Sequence, residues 1–308
     1  MLSKLIAQAR QATGAAEHYT PGFTEPTHIT AQRAASAGVV RLADPLPEYT
    51  LDPQRPTQAL VQHQAGRRVP MSTAILQNSR VCQAGARLVP VEAAPDAVPM
   101  GNGEMVWQRR ASRFSVIEAG VFQPVEDGDD ATATALPILS TEIAPGDSAT
   151  HGLRLEIPRT MLKEHGDEWV EHVAMTALAL GLSNLADAVL LAAIKSATPG
   201  AFSIGAAAAR GLRFGELRGI VGTAGNGAAV GADGALRAAG VAAELSDQID
   251  ATFVGSFARA GVAVNEEIFL IVDRVNVAGA MALTAWVNLQ PLLPDATAFW
   301  NVPAVEAA

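Results

Sequence analysis

The chain has 308 residues, a formal net charge of −9 and one cysteine, and 49% of its residues are hydrophobic against 17% that are charged. Its length allows one large domain or two ordinary ones. The acidic balance argues against a nucleic-acid-binding groove, which needs clustered Lys and Arg. One cysteine excludes an intrachain disulfide and a thiolate metal cluster, and a reducing cytoplasm is the expected place of folding.

The N-terminal part predicts no compact domain. Residues 1–19 lack the apolar core of a secretion signal and predict a short amphipathic helix. Residues 20–70 contain seven prolines and much Gln, Thr and Ala. Proline at this density blocks helix interiors and sheet centres, so we expect an extended arm or linker that becomes ordered by lying on a neighbouring subunit.

The next part of the chain predicts small elements and then a projecting hairpin. Residues 72–82 have a helical pattern, with Ala74, Ile75 and Val81 on one side, and 85–91 read as a strand. Short β-rich pieces then alternate with turns: 105–107, 114–117, 121–122 and 135–143, with an acidic turn at 126–130. Their apolar content is too dilute for a self-sufficient domain, which favours a projecting hairpin arm.

The longest predicted element is a helix over 167–198. Asp167 is a suitable N-cap, apolar residues recur at helical spacing after it, and Pro199-Gly200 ends the run. About thirty residues at 1.5 Å each give a rod of roughly 45 Å. No catalytic constellation lies along this rod, so we interpret it as a scaffold element.

Part of this helix, 173–194, approaches the length of a membrane span. Asp187 and the Ser183-Asn184 pair would be costly in hydrocarbon, so no membrane association is expected.

The remaining chain is predicted to be mixed and then β. A glycine-rich loop is expected at 215–222, a helix at 242–259 and a strand at 268–272. Apolar and polar residues alternate over 153–157, ahead of the long helix, and this pattern predicts a strand. The pattern of the C-terminal part predicts strands at 280–287 and 288–293 and a final β segment at Trp300.

One glycine-rich segment, 220–227, is similar at first sight to a nucleotide-binding loop. The spacing of Gly222, Gly225 and Gly227 differs from G-x-G-x-x-G, and no Gly-Lys-Ser/Thr follows. A flexible surface loop is the better interpretation.

Candidate metal ligands cluster at the start of the long helix: His165, Asp167, Glu168, Glu171 and His172. The zinc-protease pattern His-Glu-x-x-His is missing, and helix capping with a surface ion pair explains these residues. The acidic run lacks the ligand spacing of a calcium loop. We therefore expect no metal site.

Two residues are candidate catalytic nucleophiles. Ser203 stands in a near match to Gly-x-Ser-x-Gly, but all six histidines precede it, whereas in such hydrolases the His follows the Ser. Cys82 is a lone cysteine in an apolar helix, which is usually a packing residue. We expect no catalytic or cofactor-binding residue, and we do not expect the protein to be an enzyme.

Core or interface packing is expected for each tryptophan: Trp107, Trp169, Trp286 and Trp300.

Taken in order, these pieces resemble the tailed-bacteriophage major capsid proteins of the Hong Kong 97 fold, over about 69–302. Val69-Pro70, the short helix and the strand that begins Gly85-Ala86 are similar to the family's opening. Residues 184–191, with Asp187 before an apolar triplet, are the most family-like piece. Residues 293–300 are similar to the family's C-terminal Pro-x-Ala-Phe close.

The resemblance implies an α+β fold with six parts along the chain. They are an N-terminal arm (1–66), the start of a peripheral domain (67–94), an extended hairpin loop (95–150), the peripheral domain with its spine helix (151–200), an axial domain (201–275) and a C-terminal β segment (276–308).

It also implies a structural protein of the virion. Such a protein self-assembles as pentamers and hexamers into an icosahedral capsid around double-stranded DNA, in the cytoplasm of a bacterial host. The implied partners are other copies, a scaffold protein, a portal and, as an optional addition, a decoration protein. The net charge of −9 suits weak contact with packaged DNA.

Two departures from the family matter. No long helical scaffolding segment precedes Val69, so a separate scaffold protein is expected. Some family members cross-link through Lys and Asn, but residues 84–162 contain no Lys, which predicts non-covalent reinforcement. Two alternatives stay open: an encapsulin-like nanocompartment shell, which packages an enzyme, and a soluble α/β enzyme that uses the loop at 220–227.

Overall fold

The computed structural model describes residues 35–51, 61–91, 96–99, 105–108, 112–125, 130, 132–275 and 279–304. Its helices are α1 (Met71–Asn78), α2 (Arg80–Gln83), α3 (Arg159–Ser196) and α4 (Ile204–Ala209). Single 3-10 turns lie at Pro145–Asp147, Phe214–Glu216, Phe257–Arg259 and Ala296–Ala298. The strands are β1 (Ala35–Arg41), β2 (Pro45–Leu51), β3 (Val61–Pro70), β4 (Arg87–Val91), β5 (Asp96–Pro99), β6 (Met105–Gln108), β7 (Ser112–Ile117), β8 (Ile138–Ile143), β9 (Thr150–Ile157), β10 (Arg218–Val221), β11 (Ala228–Val230), β12 (Leu236–Ala238), β13 (Val241–Leu245), β14 (Thr252–Gly255), β15 (Gly261–Asn265), β16 (Glu267–Arg274), β17 (Met281–Leu292) and β18 (Phe299–Val302). The expected α+β class, with one long helix, is confirmed.

A six-stranded sheet is built around β17. The strand order is β1-β16-β17-β15-β4, and β9 also pairs with β17. Along one edge of β17, β9 pairs with residues 281–288 and β15 with residues 289–292. All pairs are antiparallel except β4 with β15. Because β17 is 12 residues long, it holds distant parts of the chain in one sheet.

The helix α3 packs against β17 and β9 of this sheet. It has 38 residues, but Gly166 has φ 79° and ψ 167°, so the helix consists of two segments. The predicted start at Asp167 directly follows this break, and the predicted end lies two residues beyond Ser196. The helix prediction is therefore confirmed, and a further helical segment, 159–165, precedes it.

One side of α3 is buried in the core and the other side is exposed to solvent. Leu178, Leu182 and Leu190 are buried in the main hydrophobic core, which explains the helical spacing of its apolar residues. Within the described residues, α3 is the one helix long and apolar enough to cross a membrane by length and composition, and 50% of its apolar window is buried inside the fold. Core helices of soluble proteins meet the same criterion.

The predicted helix at 72–82 is divided in two. Ser79 has an extended conformation (φ −72°, ψ 126°) and separates α1 from α2. Ile75 and Val81 are buried, and Ala74 packs against the core, so the predicted apolar side is confirmed. The break is stabilised by Asp187 of α3, whose carboxylate accepts hydrogen bonds from Ser79 and from the backbone N–H groups of Arg80 and Val81.

A second sheet has the order β11-β12-β13-β10-β14-β18. The predicted helix at 242–259 is wrong, since this stretch contains part of β13, all of β14 and a 3-10 turn. Phe253 and Val254 are consecutive and both buried, as in a strand covered on both faces. Burial on two faces selects the strand over the expected helix.

The stretch 215–222, expected to be a glycine-rich loop, consists mostly of regular secondary structure. It contains a 3-10 turn and β10, whose Gly219 lies opposite Ala243 of β13. A Cβ at position 219 would lie 2.9 Å from the Cβ of Ala243, so glycine is required by close strand packing.

Among the remaining strand predictions, one is wrong, two correspond to a single strand, and the others differ only in their bounds. Residues 121–122 have no strand, and the two strands expected over 280–293 are one strand, β17. Strands were correctly predicted at 85–91, 105–107, 114–117, 135–143, 153–157, 268–272 and the close at Trp300.

Part of the proline-rich segment pairs with the chain's own sheet. β1 is an edge strand beside β16, and β2 pairs with β3 in a two-stranded ladder, where proline is tolerated. Leu42 and Leu46 are buried in the core. The predicted amphipathic helix at 1–19 and most of the acidic turn at 126–130 lie outside the described residues.

Candidate assembly surface

The ladder of β7 and β8 lies against the main sheet. Phe114 and Ile143 are buried with Ala263 of β15 and Leu292 of β17. The side chain of Gln290 fixes β8 further, since its Nε2 donates to the carbonyl of Glu142 at 2.8 Å and its Oε1 accepts from the N–H of Ala144 at 2.7 Å. The expected projecting hairpin is thus attached to the body along these two strands.

The segment that leaves the body is the connection between β7 and β8, residues 118–137, which we call the loop. Its described residues contain no helix or strand. Phe122 is 100% exposed and Leu136 82% exposed. The exposed apolar side chains in and beside the loop are Ile117, Val121, Phe122, Val125, Leu136 and Ile138. Exposed apolar residues concentrated in one segment mark an interaction surface.

A cluster of four charged side chains holds the first residue of the loop. Glu118 pairs with Arg210 and with Arg259, the latter at 3.2 Å. Asp295 pairs with the same two arginines, at 3.1 Å and 2.9 Å respectively. We call these four residues the arginine cluster.

Thr297 completes the hydrogen bonding of the arginine cluster. Its hydroxyl donates to Asp295 at 2.6 Å and accepts from Nε of Arg210 at 2.8 Å. Each guanidinium therefore contacts two carboxylates, and Arg210 contacts a hydroxyl as well.

Electrostatics within the arginine cluster favour the charged forms. Burial alone would raise the pKa of Asp295, but hydrogen bonds from Thr297, Arg210 and Arg259 hold it below its ordinary value. Burial alone would lower the pKa of Arg210, and its bonds to Glu118 and Asp295 raise it instead. Asp295 and Arg210 are thus both charged at neutral pH.

A second apolar surface lies on α3. Trp169, Val173 and Leu180 follow one another at helical spacing and are exposed. His165 stacks on Trp169 with ring centroids 4.1 Å apart. This exposed side of α3 lies opposite the side that packs on the sheet.

A third apolar surface lies on the sheet itself. Phe269 of β16 and Trp286 of β17 are directly opposite in register, and both are exposed. Gly152 of β9 lies on the other side of Trp286, where a Cβ would be 3.6 Å from the indole ring. The side chain of Trp107 lies outside the described residues, and Trp300 is buried as expected for a core tryptophan.

A cavity of about 260 Å³ lies between α3 and the sheet. Its lining is mostly apolar and includes Leu182, Leu185 and Val287, together with His151. The Nδ1 atom of His151 is buried and has no hydrogen-bond partner among the described residues.

The two candidate nucleophiles, Ser203 and Cys82, have structural surroundings. The hydroxyl of Ser203 accepts a 3.0 Å hydrogen bond from the N–H of Ala206 and caps α4. Burial raises the pKa of the Cys82 thiol, which disfavours the nucleophilic thiolate. Among the described residues, no group of three or more His, Cys, Asp and Glu side chains is placed to hold a metal ion.

The segment 220–227 has no free backbone cradle for a phosphate at its start. The N–H groups of Thr223 and Ala224 donate to the carbonyls of Ile249 and Asp250, at 2.9 Å and 3.1 Å. A Cβ at Gly222 would lie 2.6 Å from the carbonyl oxygen of Ile249. This glycine serves close backbone packing. Ile220 and Val221 belong to the buried strand β10, and the exposed turn begins at Thr223.

Sequence reasoning did not find the arginine cluster. The two ion pairs of Glu118 join residues 92 and 141 positions apart, from elements with no common motif. The apolar residues of the loop were visible in the sequence, but they were interpreted as a strand.

No protein-family model matches the sequence, and no curated protein matches it. Among solved structures, the chain is similar to the capsid of a native GTA particle, with 14% identity and a TM-score of 0.44 over 82% of this chain and 98% of that chain. It is also similar to the capsid of the cyanophage P-SCSP1u, with 9% identity and a TM-score of 0.45 over 81% of this chain and 94% of that chain. A virus-like particle from Pyrococcus furiosus matches with 10% identity and a TM-score of 0.43 over 76% of this chain and 96% of that chain. By their descriptions, two are capsids and one is a virus-like particle.

Proposed function

We propose that this chain is the subunit of an icosahedral shell, assembled from pentamers and hexamers around the double-stranded DNA of a tailed phage. The observation that carries the proposal is the loop 118–137, which presents the fully exposed Phe122 while Glu118 fixes its base to the body. Apolar surface exposed to water costs about 25 cal/mol per Å² relative to burial. A neighbouring copy would remove this surface from water.

Three separate apolar surfaces support contact with more than one neighbour. The loop, the exposed side of α3 with Trp169, and the sheet face with Phe269 and Trp286 belong to different elements. A subunit of a closed shell needs several contacts of this kind, because each copy touches different patches of its neighbours.

The interior of the shell is proposed to contact DNA weakly. The net charge of −9 supplies no excess of cations for binding phosphates. Weak contact would let DNA enter and leave the shell freely. A scaffold protein and a portal are proposed as assembly partners, with a decoration protein as an optional reinforcement, and the bacterial cytoplasm is the proposed place of assembly.

The test compares two loop variants of the full-length chain. Phe122→Ser removes the most exposed apolar side chain, and Ala135→Ser makes a small change in the same loop. Purified proteins are measured by mass photometry and negative-stain electron microscopy. We expect Phe122→Ser to remain folded and to assemble poorly, while Ala135→Ser assembles like the parent chain. Equal assembly of all three would contradict the role of the loop.

The contents of the particles distinguish a viral shell from a nanocompartment. Particles from cells that express the complete set of assembly partners are treated with nuclease, then opened and analysed for DNA and for protein. Protected double-stranded DNA supports the phage capsid. A protein cargo without DNA would overturn the DNA-enclosing part of the proposal in favour of an encapsulin-like shell.

A further inference from the structure

The cavity between α3 and the main sheet, which we call the helix–sheet cavity, has one wall made of three paired strands. Its sheet residues include His151 and Leu153 of β9, Ala285 and Val287 of β17, and Ile268 of β16. In the register of β9 with β17, His151 lies opposite Val287 and Leu153 lies opposite Ala285. Backbone hydrogen bonds of the sheet hold this wall in place, so the space beside it belongs to the fold.

The other wall of the helix–sheet cavity is one side of α3. Leu178, Gly181, Leu182 and Leu185 line it. These residues lie three, four and seven positions from Leu178, which places them on the same side of the helix. Leu178 and Leu182 are buried, so this is the side of α3 that packs on the sheet.

Gly181 leaves part of this space open. A Cβ added at this position would meet no atom within 4 Å, so close packing does not require glycine here. Glycine is also an unfavourable residue in the interior of a helix. Because Gly181 lines the cavity and is exposed, the cavity reaches solvent on this side of α3.

His151 is the one residue with a polar side chain among the ten that line the helix–sheet cavity. Its Nδ1 atom is buried and has no hydrogen-bond partner among the described residues. A buried polar atom without a partner is unfavourable, because folding removes it from water. A bound water molecule needs about two to four polar partners, and the lining side chains offer one. The cavity therefore suits an apolar molecule with a single hydrogen-bonding group.

The size and charge of the helix–sheet cavity define the ligand further. An apolar cavity of about 150 Å³, engineered in another protein, binds benzene. The helix–sheet cavity, at about 260 Å³, has room for an aromatic ring with a substituent or for two fused rings. None of the ten lining residues is Asp, Glu, Lys or Arg, so a charged ligand would have no partner of opposite charge.

We propose that the helix–sheet cavity is a binding site for a small neutral aromatic molecule of one or two rings, whose single polar group forms a hydrogen bond with the imidazole of His151. The site goes beyond the proposed shell function and does not depend on it, since every residue that lines it belongs to one chain.

The probes are phenol and toluene, which have nearly the same size and shape. A phenol hydroxyl can donate to a ring nitrogen or accept from a ring N–H, whereas the methyl group of toluene can do neither. Dissociation constants for the full-length chain are measured by titration in saturation-transfer difference NMR. We expect both probes to bind the parent chain saturably.

His151→Leu tests the hydrogen bond. The ratio of the dissociation constant of toluene to that of phenol should fall by about 3- to 10-fold in this variant, because only phenol loses a hydrogen bond. Comparing ratios cancels the different hydration of the two probes. His165→Leu is the matched control, since His165 is exposed and lies outside the cavity, and it should leave the ratio unchanged.

Gly181→Leu tests the place of binding. The new side chain enters the open space, and both dissociation constants should rise by at least roughly 10-fold because ring and side chain cannot share it. Ala192→Leu, at an exposed position of α3 outside the cavity, is the control and should leave both constants unchanged.

Three results would overturn the proposal. They are no saturable binding of either probe to the parent, an equal ratio in the parent and His151→Leu, and undiminished binding of toluene to Gly181→Leu, which would place the probe elsewhere on the chain. Should either variant fail to fold by circular dichroism, His151→Phe or Gly181→Met replaces it, and the same outcomes apply. Electron microscopy scores shell assembly of the parent separately, so either property can fail while the other stands.

Discussion

The hydroxyl of Ser79 donates a 2.6 Å hydrogen bond to Oδ1 of Asp187, which joins the start of α2 to the middle of α3. The same carboxylate accepts from the N–H groups of Arg80 and Val81 at 2.9 Å and 3.0 Å. Asp187 is 1% exposed. The carboxylate in the long helix therefore serves as the N-terminal cap of another helix, and this explains how so apolar a helix contains an aspartate.

Removing this carboxylate should destabilise the fold. Asp187→Ala leaves three donors without their acceptor, two of them in buried hydrogen bonds and one in a part-buried one, and each unsatisfied buried group costs about 1–3 kcal/mol. We expect a loss of about 3 kcal/mol in the free energy of unfolding, measured by urea denaturation of the unassembled chain. Ser79→Ala should cost about 1 kcal/mol.

A double-mutant cycle tests whether the two residues act together. Because Ser79 and Asp187 share a hydrogen bond, the double variant should lose less stability than the sum of the two single variants. Strict additivity would contradict the coupling.

The stability of the chain should depend on the ionisation of Asp187 in acid. Burial raises the pKa of this carboxyl, although hydrogen bonds from Ser79, Arg80 and Val81 oppose the rise. A raised folded pKa means that the folded state binds the proton more tightly than the unfolded chain does. The contribution of protonated Asp187 to the free energy of unfolding is therefore fully present below the ordinary pKa of 3.8. It is lost as the pH rises through the pKa of the folded state.

Asp187→Asn provides the reference for this measurement, because its side chain does not titrate. The free energy of unfolding of the parent minus that of Asp187→Asn should fall as the pH rises from acid towards neutral. A difference that rises over the same range would mean that the hydrogen bonds outweigh burial, and would contradict the expected sign.

Truncating a leucine side chain on the buried side of α3 should lower the free energy of unfolding more than truncating one on the exposed side. Leu190 is 0% exposed and Leu180 is 40% exposed. Leu190→Ala should lower the free energy of unfolding by about 2–5 kcal/mol through lost burial and the cavity left behind. Leu180→Ala should change it by less than about 1 kcal/mol in the unassembled chain. Equal losses, measured by urea denaturation, would contradict the placement of the helix.

Assembled particles should be held together without covalent cross-links from the 84–162 region. This part of the chain contains no Lys, so it offers no amine for a bond to a side-chain amide. After boiling in denaturant, particles should run on a gel as a single band of 31.9 kDa. A ladder of higher-mass bands would contradict non-covalent reinforcement.

The sequence predicted elements whose patterns are local. The long helix followed from apolar residues at helical spacing and from the cap signal at Asp167, and the strand at 268–272 followed from a short apolar run. The helix predicted at 242–259 is wrong because burial of Phe253 and Val254 between other elements selects a strand. That burial depends on the tertiary structure, which no local pattern contains.

The candidate surface could be predicted only in part. The sequence shows that Val121 and Phe122 are apolar, but their exposure follows from the end of the β7–β8 ladder at Ile117. The partners of Glu118 come from elements far along the chain, so their charges alone could not identify the arginine cluster. Asp187 was recognised as unusual for its position, while its role as a cap required the structure of the Ser79 break.

The most direct test of the proposed shell is negative-stain electron microscopy of the purified full-length chain together with its scaffold partner, with mass photometry of the same sample. The account predicts closed shells or sheets of hexamers, with masses that are large multiples of 31.9 kDa. A homogeneous monomer or dimer under these conditions, combined with specific binding of a nucleotide, would contradict it and favour the enzyme alternative.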